Sequence, residues 1–83
     1  MSLREQFNDL QESGLEWQEM CNLQHEAATV PVGHPARERM AELSESYADR
    51  LERSRLVRAF HWADGPAGLR ERAAAWRTGQ VPS

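Results

Sequence analysis

The sequence contains no lysine; all ten of its basic residues are arginine. Lysine is ordinarily among the commoner residues. Its absence beside abundant Ala, Glu and Arg points to codon usage in a GC-rich bacterial or phage genome. Selection for planar guanidinium recognition is the functional alternative. Cysteine is almost missing as well, and a lone Cys21 excludes an internal disulfide framework and fits a reducing compartment. No apolar run approaches the roughly 18 residues that a membrane span needs. Met1-Ser2-Leu3-Arg4-Glu5 lacks the basic-then-apolar order of a secretory leader. A cytoplasmic protein with no membrane partner is expected. There is also no glycine-rich phosphate loop, no recognisable Ser/Cys–His pairing and no inward carboxylate dyad. An enzyme, a cofactor and a small-molecule substrate are therefore not expected.

Helix signals fill the space those absences leave. Ser2-Leu3-Arg4-Glu5 is a capping box, and no proline follows until Pro31, so helix 1 is expected over about 2–28. Thr29-Val30-Pro31-Val32-Gly33-His34-Pro35 breaks the chain with two prolines and a glycine. Pro35 suits a first helical position, and helix 2 then meets no breaker until Asp64-Gly65-Pro66, giving about 35–63. Pro66 opens a short helix 3 over about 66–77, stopped by Thr78-Gly79. Residues 1–78 read as one helical domain and residues 79–83 as a flexible tail.

Helix 1 carries an apolar stripe at Leu3, Phe7, Leu10, Gly14, Trp17 and Cys21, with Glu5, Asp9, Glu12, Glu16 and Glu19 on its other side. Helix 2 repeats the design, with Ala36, Met40, Leu43, Tyr47 and Leu51 opposite Glu38, Glu42, Glu45, Asp49 and Glu52. Heptad-like spacing on two helices with a short connection predicts an all-α antiparallel hairpin, joined by the short third helix. Charge supports the alignment. Residues 1–28 hold six acids and one arginine, residues 34–64 six of each, and residues 65–83 three arginines and one acid. An antiparallel pairing sets Arg50, Arg53 and Arg58 beside the acidic half of helix 1. Each exposed pair contributes only about 0–1 kcal/mol, but together they favour this register.

The stripes stop in two places. Past Glu19, Met20, Leu23, Ala27 and Val30 occupy the face that had been acidic; past Glu52, Leu56, Phe60 and Ala63 do the same on helix 2. The first patch lies at the turn end, beyond the expected reach of helix 3. A chain of 83 residues seldom builds a self-sufficient core without help. The two patches, with Trp62 as a further anchor at a helix end, are thus the expected interface. The partner would be another protein or a second copy completing a four-helix bundle. The expected function is non-enzymatic: an adaptor, regulator or accessory subunit.

Two other chemistries compete. Cys21 and His25 are four apart and share a helix face, and His34 in the turn is near enough to add a third ligand for zinc or haem. A cysteine on an apolar seam more often serves as a small core residue. Arg50, Arg53, Arg55 and Arg58 could meet phosphates, but the chain is acidic and carboxylates lie within reach of most of its arginines. The connection between helices 1 and 2 is too proline-rich for a helix-turn-helix. Nucleic acid is not the favoured partner.

Overall fold

Ser2 starts the first helix as its spacing predicts: its hydroxyl oxygen accepts from the Glu5 N–H at 3.2 Å and donates to the Glu5 carboxylate at 3.1 Å. This computed structural model describes residues 1–61 and 64–79 and places in them α1 (Leu3–Thr29), α2 (Pro35–Arg53), α3 (Arg55–Phe60) and α4 (Pro66–Thr78). Pro35 stands at the first turn of α2, where His34 Nδ1 accepts from the Ala36 N–H at 3.1 Å. Gly79 closes α4 at φ +85°, a left-handed backbone that favours glycine. No helix among the described residues is long and apolar enough to cross a membrane.

The chain is an all-α hairpin of α1 and α2, with α4 laid along a second face of α2. α2 is therefore the central helix. Its expected seam of Ala36, Met40, Leu43, Tyr47 and Leu51 is buried throughout. Ala41 and Ala48 are fully buried as well, because α4 covers a second face with Leu69, Ala73 and Trp76. The acidic stripe of α2, expected in solvent, meets the arginines of α4. Arg70 pairs with Asp49 and Glu52, and Arg77 pairs with Glu45 at 2.8 Å and Glu38 at 3.3 Å.

Two expectations about the helices are corrected. Helix 2 does not run from 35 to 63, since it ends at Arg53 and a separate short helix, α3, follows and packs against α1. The break is held from both sides of Ser54. The fully buried Ser54 hydroxyl caps the Val57 N–H, and Arg58 Nη1 donates to the free carbonyls of Leu51 at 2.8 Å and Glu52 at 2.7 Å. No proline or glycine marks this stop. The switch of face after Glu52 is its trace, since Leu56 and Phe60 belong to a new helix with its own direction.

The second correction concerns α1. Leu3, Phe7, Gly14 and Cys21 of the expected seam lie in solvent, and the helix turns Asp9, Ser13, Met20 and Ala27 inward instead. At 3.6 residues per turn, these two faces stand about 100° apart. Leu10 and Trp17 lie at the boundary and are half-buried. The inward face wins for two reasons. It carries Met20, Leu23, Ala27 and Val30 over the turn end, and it gives Arg50 and Arg53 of α2 the carboxylates of Asp9 and Glu16.

Candidate interaction surface

The polar anchor of the hairpin is Asp9. Its carboxylate accepts from Arg50 Nη1 at 2.7 Å and from Arg53 Nε and Nη2 at 3.0 and 2.7 Å. The hydrogen bonds from Arg53, reinforced by the charge of both guanidiniums, hold this carboxyl below the usual aspartate range against an opposing desolvation. Arg50 Nε also reaches Glu16 at 2.9 Å, and Glu16 in turn accepts from the Ser46 hydroxyl. The predicted alignment of Arg50 and Arg53 with helix 1 is thus present. Arg58 departs from it and serves the Ser54 break.

Above this anchor the aromatic rings of Trp17, Tyr47 and His61 form one cluster, with centroids 5.1 to 5.9 Å apart. His61 Nε2 lies 2.5 Å from the Asp64 carbonyl, which can only accept, so Nε2 carries a proton. His61 Nδ1 lies 3.0 Å from the Tyr47 hydroxyl, so the two rings share a hydrogen bond. Burial, with the charge of Glu16 second, pushes the Tyr47 phenol above its ordinary range. At the turn end, buried Arg37 donates to the carbonyls of Val30 at 2.7 Å and Trp76 at 3.4 Å, its guanidinium carbon 5.8 Å from the centre of the Trp76 ring. One arginine thereby ties the ends of α1 and α4 to the start of α2.

These contacts relocate the expected interface. Met20 and Ala27 are buried and Leu23 and Val30 half-buried in the core; α4 reaches the turn end after all, through Trp76. They do not form an exposed patch. On the second patch, Leu56 is half-buried and Phe60 stands 68% exposed, while Trp62 and Ala63 lie outside the described residues. The exposed apolar surface that sequence reasoning missed is Leu3 and Phe7, 62% and 55% exposed on the first two turns of α1. The arginines of α2 were the signal that could have found it. Arg50 and Arg53 need the Asp9 and Glu16 face inward, and that leaves Phe7 outward.

Neither competing chemistry is assembled. Cys21 and His25 are exposed and His34 is engaged as a helix cap; the described residues contain no group of three His, Cys, Asp or Glu side chains that could hold a metal. Arg50, Arg53 and Arg58 are committed to carboxylates and carbonyls, and Arg55 is exposed beside them.

What the fold does form is a furrow. α1 and α4 both rest on α2 with little contact between them, leaving a cavity of about 200 Å³. Cys21, Gln24 and Ala28 line one wall, Leu69, Arg72 and Trp76 the other, and Met40 and Ser44 the floor. A second cavity of about 190 Å³ lies between α1 and α3, beside Leu10, Gly14, Val57 and Phe60. Trp17 borders both, so one interrupted furrow follows α1. The chain is thus an all-α hairpin with a furrow along one side. Compared with known protein families, curated proteins and solved structures, it has no match.

Proposed function

We propose that this chain is a non-enzymatic, cytoplasmic protein–protein interaction module, an adaptor, regulator or accessory subunit, that binds through the exposed face of α1 and the adjoining furrow. The observation that carries the reading is the solvent position of Leu3, Phe7 and Phe60 on a small protein whose remaining large apolar groups are mostly packed. Aromatic side chains of this kind are the usual anchors of interfaces. The furrow wall supports binding over catalysis: among the described residues its lining holds no carboxylate, and its Arg72 pairs with Asp64.

The test uses wild type and a Phe7→Glu/Phe60→Glu chain side by side. Each is sedimented alone and used as bait in an extract of the source organism. The expected result is an association, with itself or with a second protein, that the substituted chain loses. A wild type that stays monomeric and retains nothing beyond what the substituted bait retains refutes the reading.

A further inference from the structure

We infer that the partner is a second copy: two chains pair antiparallel along α1, with Gly14 near the twofold axis, and Leu3 and Phe7 of each seat in the α1/α4 furrow of the other. The inference rests on the interaction reading above and commits it to one occupant.

Charge selects the face. The chain carries a net charge of −3, so most self-contacts oppose like charges. All six acids of α1 lie off the face centred on Phe7, Gly14 and Cys21, and only Arg4, at its edge, is ionised between Leu3 and Gln24. Its polar members are the amides of Gln6, Gln11, Gln18, Asn22 and Gln24, which donate and accept equally well to their own kind, and the imidazole of His25. Two copies can approach along this face with no carboxylate between them.

Shape selects the direction. Large side chains stand at the N-terminal end of the face and the furrow lies at its C-terminal end. In an antiparallel pair about Gly14, Phe7 meets Cys21 of the other copy, and Leu3 meets His25, between Gln24 and Ala28. At 1.5 Å per residue, Phe7 and Cys21 stand about 10 Å from the axis and Leu3 about 16 Å. A parallel pair would set Phe7 against Phe7 and leave both furrows empty. At the axis itself, a Cβ built on Gly14 meets nothing within 4 Å, so that point is open for the second backbone to come close. The contact is isologous: each copy supplies the same knob and the same socket, and the pair closes without further growth.

The experiment combines sedimentation with directed disulfides. Wild type should sediment at twice its 9.5 kDa mass at micromolar concentration. Phe7→Glu should weaken the dimer on the order of 100-fold or more, since one substitution strikes both sockets. Its circular dichroism should match wild type, because Phe7 supports no core. The Gly14→Cys/Cys21→Ser chain should crosslink on mild oxidation, and the open space at Gly14 allows that change without unfolding. Native Cys21 should not crosslink, since antiparallel pairing holds the two thiols about 20 Å apart, far beyond disulfide reach. A wild-type monomer at high micromolar concentration overturns the inference. So does a dimer indifferent to Phe7→Glu, or one that crosslinks through Cys21 and not through Gly14→Cys. A monomer that captures another protein, and loses it on Phe7→Glu, ends the homodimer while the interaction reading survives.

Discussion

Replacing Asp9 by asparagine removes one negative charge from the most enclosed ion-pair site in the molecule. The wild-type carboxylate has 7% of its side-chain surface exposed and accepts three hydrogen bonds from Arg50 and Arg53. Hydrogen bonds to charged groups contribute about 1.5–3 kcal/mol each when nothing replaces them. Here replacement is partial. Arg53 is half-exposed and rehydrates, and Arg50 keeps Glu16. A net cost of about 2 kcal/mol follows. For a domain of this size that lowers the melting temperature by roughly 8–16 °C.

The pH dependence gives the second signature. The folded state depresses the Asp9 pKa, so its stabilisation is fully present above the unfolded value and fades as pH falls through the lower, folded one. Urea unfolding at pH 7 should separate Asp9→Asn from wild type by the full amount. Below the ordinary aspartate range near pH 4, the gap should narrow. Glu12, exposed on the same helix, is the control, and Glu12→Gln should melt with wild type. Equal stability of Asp9→Asn and wild type at pH 7 would refute the reasoning, because it would mean that these arginines do not choose the buried face of α1.

Three further substitutions probe the rest of the fold. Ser54→Ala leaves the Val57 N–H uncapped in a fully buried position and should cost about 1 kcal/mol in urea unfolding, with little change in helix content. Arg37→Lys keeps the charge but loses the planar fork shared between the Val30 and Trp76 carbonyls. A loss of about 2 kcal/mol is expected by the same assay, and hydrogen exchange should show α4 opening first. Gly79→Ala forces a side chain onto a φ of +85° and within 2.7 Å of Val32 Cγ2, so the melting temperature should fall by the equivalent of about 1–2 kcal/mol.

The hairpin, its register and the seam of α2 were legible in sequence because each is local or repetitive. Capping residues and prolines mark ends, and the five seam residues of α2 recur every three or four positions. α1 was misread for a different reason. It carries two apolar faces, and counting apolar residues favours Leu3, Phe7 and Leu10 over Met20, Leu23 and Val30. The choice depends on Arg50 and Arg53, more than forty residues away from Asp9, whose charge has value only when it is enclosed. The stop at Ser54 was hidden similarly, since its C-terminal cap comes from Arg58, a residue inside the next helix. Leu3 and Phe7 moved from core to surface through that single rotation.

Ser54 also acts as a ruler. α1 has 27 residues and α2 has 19, about 40 Å against about 28 Å, so α2 stops level with Asp9 and the residues of α1 before it project past its end. Had α2 continued straight, its next two turns would have run beside those residues, with Leu3 and Phe7 still turned away from it. The break at Ser54 thus sets how far α1 projects past α2, and a shift of the break by one turn would lengthen or shorten the projection by about 5 Å. The length of that projection is set by a residue that α1 itself does not contain.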